Sequence, residues 1–517
     1  MDISNYFQIL EQKKSSWLFK KDDTAERLEA LTKIAELGYP SLIHNLIPFL
    51  KDSNTSVQQK TADTITHLFK KLNAKNGYYD SLKHCVISQK DLDYYQQTFT
   101  NENLITLFAI ASLNGSGFVR EKAVKKLIEI NHESVIPFII FRLADWVPII
   151  RNKALEGIYH YKKKKSIINA LVENLDLFEW LKKVKRIDLS DVLSEILHFI
   201  FVENRQYIIE NLKTFSDKTR TLMAGKLVEA SNIHDEDLKL FLSDSHFLVR
   251  RVALDYFDRL TQTEIDKLLV DKAASIRVEA LRHLKNKVNF LEIVLPFLSD
   301  NAASVRDFAR HHLKNTVPDF AIIYNDNLKS KKHILGSING LAEINAKQFS
   351  NTIEPFLNDT KIKIRKAAFL ALTKMDEQKI YPIAIDSLDS EFIGIRNLAI
   401  QFLQKSPSDE ALKKARNIYA NGNIGLKFSM LKMFNNIGGW TALADIILGT
   451  IDENEKVRDV SSEYLKVWEN KAVRLFTKPK VNELERTREI FRFAFERHDD
   501  KKYFNRNPLV GFDFYLR

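Results

Sequence analysis

The segment LPFLSDNAASVRDFA occupies residues 295–309 and recurs in modified form along the chain. Residues 47–58 read IPFLKDSNTSVQ, and residues 354–365 read EPFLNDTKIKIR. Each copy contains a proline–phenylalanine pair, then an aspartate, then a Val or Ile followed by a polar or basic residue. The prolines of the three copies are separated by 248 and 59 residues, close to multiples of about thirty. A repeat of this length predicts an array of helix–turn–helix units.

An arginine that follows Val or Ile sets the register of the repeat. Arginines in this context are separated by 31, 99, 27, 29, 59, 31 and 62 residues, again near multiples of the period. An aspartate stands six residues before most of them, in the pairs Asp145–Arg151, Asp244–Arg250, Asp271–Arg277, Asp300–Arg306, Asp359–Arg365 and Asp452–Arg458. An acid at the start of a helix can accept backbone N–H bonds and can also pair with an arginine of a neighbouring unit. Because the pairs recur, we interpret them as a structural ladder and not as catalytic charges.

The recurring proline, the Asp–Arg step and an alanine three residues after the arginine together resemble the HEAT repeat family. The prolines that carry the resemblance are Pro48, Pro137, Pro296 and Pro355. The resemblance implies an all-α, right-handed α-solenoid of about fourteen helix–turn–helix repeats of about thirty residues each. It indicates the fold but does not select a function, because HEAT-type chains have many functions.

The solenoid is expected to span residues 24–475, with diverged units near residues 73–103 and 161–216. Residues 1–23 are expected to form an N-terminal cap, since a terminal unit has one face without a neighbour. Residues 476–517 are expected to form a C-terminal capping helix and an aromatic, basic tail. We expect that tail to fold back on the last helices, while a peptide that docks elsewhere is the alternative.

Composition favours an almost wholly helical, soluble protein. The 517 residues include only 15 Gly and 11 Pro, and the net charge is +11 from 78 Lys and Arg against 67 Asp and Glu. The single Cys85 cannot form an internal disulfide. The N-terminus does not resemble a secretory signal, and no apolar run is long enough for a transmembrane helix. We therefore expect a cytoplasmic protein.

The sequence contains no motif that predicts catalysis. Nucleotide-binding loops, nucleophile elbows and zinc-protease motifs are missing from the sequence. The adjacent His311 and His312 point to different sides of a helix, and His283 stands at the position equivalent to His312 in the neighbouring repeat. We predict no catalytic residue, no metal site and no cofactor.

The second helix of each repeat offers the predicted binding surface. The resemblance to HEAT repeats implies that these helices line a concave groove. Cations on them form the candidate binding set: Lys122, Lys125, Lys153, Arg251, Arg282, Arg310, Lys366 and Lys374. Lys162 to Lys165 add charge at one helix end, and Asp255, Glu156 and Glu279 are interleaved with the set. Mixed charge of this kind favours a protein ligand.

The sequence therefore predicts a non-catalytic binding scaffold for a protein partner. The alternative is a solenoid that binds nucleic acid along a basic face. A third, remote interpretation is a HEAT-like DNA glycosylase, which Asp145, Trp146 and Trp180 resemble as an acid beside aromatics in basic surroundings.

Overall fold

The structure is a computed structural model that describes residues 3–11, 23–72, 82, 84–162, 167–230, 233–472, 478–498, 502–503 and 507–517. Helices and turns make up these residues, and no strand occurs among them. The chain forms two compact units, Met1–Ile265 and Asp266–Arg517. In the part of the chain that is described, no helix is long and apolar enough to cross a membrane.

The first unit consists of short helices joined by tight turns. Its α-helices are Ile3–Glu11, Thr24–Leu37, Ile43–Leu46, Thr55–Lys70, Gln89–Thr98, Asn101–Ala111, Gly117–Ile130, Ile136–Arg142, Pro148–Lys162, Ile167–Val172, Leu175–Leu181, Ser190–His198, Arg205–Asn211, Asp217–Ala230, Asp235–Leu242 and Phe247–Val252, and Gln262–Leu269 contains the boundary between the units. Its 3₁₀-helices are Pro40–Leu42, Ile47–Lys51, Glu133–Val135, Leu212–Thr214 and Ala253–Arg259, and Phe199–Glu203 is a π-helix.

The second unit repeats the same pattern more regularly. Its α-helices are Ala274–Leu284, Phe290–Val294, Ala303–Leu313, Phe320–Lys329, Ile334–Glu343, Ser350–Ile353, Ile362–Met375, Glu377–Asp386, Ile393–Leu403, Asp409–Asn421, Ile424–Ile437, Leu443–Gly449, Glu455–Ala472 and Val481–Arg497. Its 3₁₀-helices are Leu295–Ser299, Lys347–Phe349, Glu354–Asn358, Ser387–Asp389 and Phe512–Leu516. From Ala274–Leu284 to Glu455–Ala472, the second helix of each pair packs on the second helix of the next. The predicted all-α stack of HEAT-type helix pairs is therefore confirmed.

The repeated proline marks a change of helix type within the first helix of a unit. The α-helix Phe290–Val294 continues as the 3₁₀-helix Leu295–Ser299, and Pro296 lies at the start of the tighter segment. Pro48 and Pro355 hold the same place. Proline lacks an N–H and its ring crowds the preceding turn, so the α-helical pattern cannot pass through it unchanged. Pro137 differs, because it lies in the first turn of the α-helix Ile136–Arg142.

The aspartate of the repeat fixes the turn between the two helices of a unit. One carboxylate oxygen accepts the N–H two residues further on, at 2.7–3.0 Å, in the turns of Asp52, Asp145, Asp244, Asp271, Asp300, Asp359 and Asp452. The arginine six residues later donates back to the carbonyl of the aspartate at 2.5–2.8 Å, as in Arg151, Arg250, Arg277, Arg306 and Arg458. The spacing of six residues therefore places the arginine in the first turn of the second helix, from where its guanidinium reaches the carbonyl of the aspartate in the preceding turn.

The same aspartates receive a cation from the preceding unit. These rungs are Arg27–Asp52, Arg120–Asp145, Arg220–Asp244, Arg277–Asp300 and Lys427–Asp452. In Arg120–Asp145 the two atom pairs are 2.8 and 2.9 Å apart, a fork-to-fork geometry. Such a bidentate pair fixes both distance and orientation, so it sets the spacing of neighbouring units.

Three arginines of the ladder find other partners. Arg306 pairs with Glu343 and not with an aspartate, because the next unit lacks the Asp–Arg signature. The guanidinium of Arg365 lies 3.9 Å from the centroid of the Phe392 ring. Arg396 donates to the Ser429 hydroxyl at 3.0 Å. Most of these cations therefore pair with an aspartate of the next unit, but the ladder is not continuous along the chain as the sequence predicts.

The diverged segments contain shorter and less regular helices. Around residues 161–216 the helices Ile167–Val172 and Leu175–Leu181 are short, and a π-helix interrupts the chain at Phe199–Glu203. The second helix of the unit that contains Arg250 is also irregular, because it is α-helical over Phe247–Val252 and changes to a 3₁₀-helix at Ala253. Tyr78 and Tyr79 lie outside the described residues.

Both ends of the chain pack on the nearest repeat. Helix Ile3–Glu11 lies against Thr24–Leu37, whereas residues 12–22 of the expected N-terminal cap lie outside the described residues. In the C-terminal tail Phe512 is fully buried, and its ring centroid lies 5.5 Å from that of Trp468. Arg488 donates to the Leu516 carbonyl at 2.8 Å. Residues 507–517 therefore fold back on the last helices.

Replacing Arg306 by alanine should lower the free energy of unfolding by about 2 kcal/mol, because it removes a buried side chain that donates to the Asp300 carbonyl and to Glu343. Urea unfolding followed by circular dichroism measures the change. Arg282→Ala, which removes an exposed cation from a neighbouring helix, is the control and should leave stability within about 0.5 kcal/mol. Equal stability of the two variants would show that the Arg306 contact is not structural.

Two helical glycines should respond oppositely to alanine. A Cβ on Gly336 would lie 2.0 Å from the Ser299 carbonyl oxygen, so Gly336→Ala should destabilise the protein by about 2 kcal/mol. A Cβ on Gly225 meets no described atom within 4 Å, so Gly225→Ala should stabilise helix Asp217–Ala230 by about 0.5 kcal/mol. Thermal melting of both variants tests the pair, and shifts of the same sign would contradict it.

Candidate functional site

An open groove of about 750 Å³ lies on two neighbouring second helices of the second unit, Ala274–Leu284 and Ala303–Leu313. It combines basic, aromatic and apolar side chains with one acid. Its lining residues are Val278, Arg282, Ser304, Asp307, Phe308, Arg310, His311, His312, Lys314 and Phe320. We call it the 282–310 groove, because it brings together Arg282 and Arg310 of the predicted binding set.

Aromatic side chains pack against one another at the base of the groove, which we call its floor. The ring centroids of Phe308 and His312 are 4.5 Å apart, and that of Phe290 is 5.3 Å from His312. Burial lowers the pKa of His312 below its usual value, and the nearby His311, Lys285 and Lys314 lower it further. His312 is therefore an uncharged part of the floor near neutral pH, beside charged groups at the rim.

Arg310 is held in place by its neighbours. It donates to Glu343 at 2.8 Å and to the Tyr324 hydroxyl at 3.3 Å, and its side chain is only 14% exposed. Burial alone would raise the pKa of Glu343, but hydrogen bonds from Arg306 and Arg310 keep it below its usual value. One carboxylate is thus shared by Arg306 and Arg310. Arg310 is a member of the predicted binding set that the structure pairs with Glu343, which reaches it from the next second helix.

The remaining cations of the groove are accessible. Arg282 lies 3.0 Å from Glu279 on its own helix, yet its side chain is 59% exposed. His311 and Lys314 are also exposed. An exposed pair on one helix is worth little in stability, so Arg282 can exchange Glu279 for an external carboxylate at small cost. These three side chains form the part of the groove that can bind an anion.

The other six members of the predicted set are dispersed. In the first unit, Lys122 lies 2.6 Å from Asp93, Lys125 and Arg251 are exposed, and Lys153 is half-buried. In the second unit, Lys366 is half-buried and Lys374 is exposed. Of the Lys162–Lys165 cluster, Lys162 pairs with Glu195, and residues 163–165 lie outside the described residues.

Sequence reasoning missed three contributors to the groove: His311, Lys314 and Phe320. The presence of His312 follows from the repeat, since His283 stands at the equivalent position. His311 has no such equivalent, and the sequence analysis assigned it no role. The signal that singles them out is that Phe308, His311 and Lys314 lie three residues apart on one helical face. Phe320 starts the next helix and closes the groove from the side.

The geometry around Asp145 does not suit a glycosylase. The Asp145 side chain is fully buried, and both oxygens are engaged by Arg120, Arg142 and the Val147 N–H. Burial alone would raise its pKa, but these bonds keep the pKa below its usual value. Trp180 stacks on Phe141 with centroids 4.9 Å apart, inside the helix packing. Asp145 therefore has a structural role.

Cys85 and the acidic and histidine side chains of the described residues do not form a nucleophilic or metal site. Burial raises the pKa of the Cys85 thiol to about 12, which makes it a poor nucleophile. Among the same residues, no cluster of three or more His, Cys, Asp or Glu side chains could hold a metal ion.

Helix pairs, first-helix prolines and Asp–Arg turns together define a HEAT-type repeat protein. No protein-family model matches the sequence. No characterised protein matches it significantly by sequence either.

Several solved structures align with the chain at low identity. Kap121p aligns at 12% identity and TM-score 0.34, over 96% of this chain and 66% of that one. Importin beta gives 12% and 0.33, over 98% and 89%. The S. pombe condensin Cnd3–Cnd2 subcomplex gives 13% and 0.36, over 99% and 78%. At such TM-scores the similarity does not assign a function to this chain.

The lowered pKa of His312 makes a testable difference to pH dependence. Because the folded pKa lies below the unfolded value, the unfolded chain takes up the proton first as the pH falls. Stability is therefore highest above the usual histidine pKa and decreases as the pH falls toward the folded value. Replacing His312 by asparagine should remove this decrease, whereas His311→Asn should reduce it only in part, because burial is the larger cause of the lowered pKa of His312. Melting temperatures between neutral and mildly acidic pH measure it, and an unchanged slope in His312→Asn would refute the assignment.

Proposed function

We propose that this protein is a non-catalytic scaffold that binds an acidic segment of a partner protein in the 282–310 groove. The observation that carries the proposal is the meeting of the exposed cations Arg282 and Lys314, and the exposed imidazole of His311, with an apolar floor. Binding sites for protein segments combine an apolar centre with a polar rim in this manner.

The charges of the groove set the chemistry of its ligand. Arg310 is little exposed and paired with Glu343, so the exposed basic side chains at the rim supply most of the attraction. Carboxylates of a partner would meet Arg282 and Lys314, while an apolar side chain would contact Phe308 and Phe320. Arginine can hold a carboxylate with two parallel N–H bonds, which gives orientation as well as attraction.

The acids near the groove favour a protein over a nucleic acid. The side chain of Asp307 lines the groove and is 81% exposed, and Glu279 stands beside Arg282. A phosphate backbone carries one charge per nucleotide and would be repelled by these carboxylates. A peptide can place neutral or basic residues opposite these carboxylates. The mixed charge of the rim therefore selects peptides over nucleic acids.

Affinity purification from the native host, with and without nuclease, tests this function. We expect a discrete protein that remains bound after nuclease treatment. Arg282→Glu should weaken its binding about tenfold, because it places a negative charge against the acidic ligand. Lys374→Glu makes the same charge change on an exposed second-helix position outside the groove, and it should leave binding unchanged.

Two outcomes would contradict the proposal. If both variants bind equally to the partner, the 282–310 groove is not the site. If the bound material disappears with nuclease, the ligand is a nucleic acid. The excess of exposed cations over acids in the groove supports that second candidate function, and a gel shift that weakens steeply between low and moderate salt would establish it.

A further inference from the structure

The first unit exposes an apolar patch at the edge formed by its inter-helix turns. The side chains of Phe118, Trp146 and Ile149 are 74%, 75% and 50% exposed. Their turns touch, because a Cβ on Gly117 would lie 3.5 Å from Val147 and Arg120 reaches across to Asp145. Clustered exposed aromatics on a soluble protein mark interaction sites more often than chance exposure does. We call these three residues the turn-edge patch.

Trp146 is held in a fixed position. The preceding Asp145 is bound by two arginines and by the Val147 N–H, and Arg151 donates to the Trp146 carbonyl at 3.2 Å. The guanidinium of Arg186 lies 4.7 Å from the centroid of the Trp146 ring. Arg186 is itself anchored by two hydrogen bonds to the Ala144 carbonyl, at 3.1 and 2.6 Å. A rigid, exposed tryptophan loses little entropy on binding, which is why such residues dominate interfaces.

The surroundings of the patch carry excess positive charge. The Arg120–Asp145 rung has a second buried arginine, Arg142, which is 6% exposed and whose Nε has no hydrogen-bond partner among the described residues. The loop that carries Arg186 also exposes Lys183 and Lys185. Two carboxylates, the buried Asp145 and the exposed Asp188 of the same loop, thus stand among five cations, and added negative charge on the outer side would stabilise the exposed ones.

We propose that the turn-edge patch docks an acidic peptide segment of a partner protein that also carries an aromatic or aliphatic side chain. The apolar side chain would pack on Trp146 between Phe118 and Ile149. Its neighbouring carboxylates would meet Arg186 and Lys185. Attraction to the loop thus speeds the encounter, and burial of the tryptophan gives the affinity.

Alternatives fit the patch less well. A second copy of this chain would bring its own net charge of +11 toward a basic loop. A single-stranded nucleic acid could stack on Trp146 and place a phosphate against the same loop cations, but the side chains of Phe118 and Ile149 on the other side of the patch offer its backbone no hydrogen-bond donor. The turn-edge patch shares no residue with the 282–310 groove, so either docking site can fail alone.

Fluorescence anisotropy with the full-length protein tests the docking site. The probe is a short fluorescein-labelled peptide that alternates glutamate and phenylalanine, measured on the wild-type chain and on Arg282→Glu, which weakens the groove. In the Arg282→Glu background, where the groove competes little for the probe, Trp146→Ala should weaken binding about tenfold and Arg186→Gln about fivefold. On the wild-type chain the loss should be smaller, because the groove still binds the probe. Trp146→Phe keeps an aromatic ring and should recover most of the affinity.

Matched controls separate this site from general effects. Phe392 is another turn aromatic stacked on an arginine, Arg365, so Phe392→Ala should leave probe binding unchanged. A peptide with lysine in place of glutamate should not bind. Melting temperatures of Trp146→Ala and wild type should agree, since the side chain is exposed.

Three results would overturn the proposal. The first is equal affinity for the probe of the Arg282→Glu chain with and without Trp146→Ala. The second is Trp146-dependent binding of oligothymidylate that displaces the peptide, which would assign the patch to nucleic acid. The third is a wild-type dimer, seen by sedimentation, that Trp146→Ala dissociates, which would assign the patch to a second copy.

Discussion

The carboxylate in each inter-helix turn is the contact on which the rest of the structure depends. One oxygen accepts the N–H that starts the second helix, and the pair of oxygens receives a cation from the preceding unit. In the same turn the arginine of the unit reaches back to the carbonyl of the aspartate. Burying such charges costs several kcal/mol each unless every lone pair is used, so the geometry tolerates little slippage. Local turn and inter-unit spacing are therefore fixed by the same atoms.

This arrangement explains where the repeat signature can decay. Glu343 replaces the aspartate for Arg306, and its longer side chain reaches from a helix and not from a turn. That helix can lie so close because Gly336 has no Cβ to meet the Ser299 carbonyl. A unit can therefore lose its motif if it supplies an acceptor at the same point in space. The contact is maintained even though the sequence pattern is lost.

The fold was predictable because its determinants are periodic, whereas the candidate sites depend on contacts that are not. Asp300 and Arg306 recur with a fixed offset, so their roles follow from spacing alone. The pairing of Arg310 with Glu343 joins residues 33 positions apart in dissimilar units, and no spacing rule predicts it. The exposure of Trp146 likewise depends on how residues 182–186 return to its turn. The π-helix at Phe199–Glu203 is a third feature that helical periodicity cannot show.

The ladder also separates structural cations from binding cations. A cation with a carboxylate partner from a neighbouring unit, such as Arg277 with Asp300, has its charge already balanced inside the fold. Lys314 and Lys185 have no carboxylate within ion-pair distance in the described part of the chain. Lys314 lines the groove together with Phe308, and Lys185 directly precedes Arg186, which contacts the Trp146 ring. Charge that the fold does not balance must be balanced by solvent ions or by a ligand. Where such charge lies beside a fixed apolar surface, a ligand binds with a more favourable free energy than a solvent ion does, because only the ligand also buries the aromatic ring.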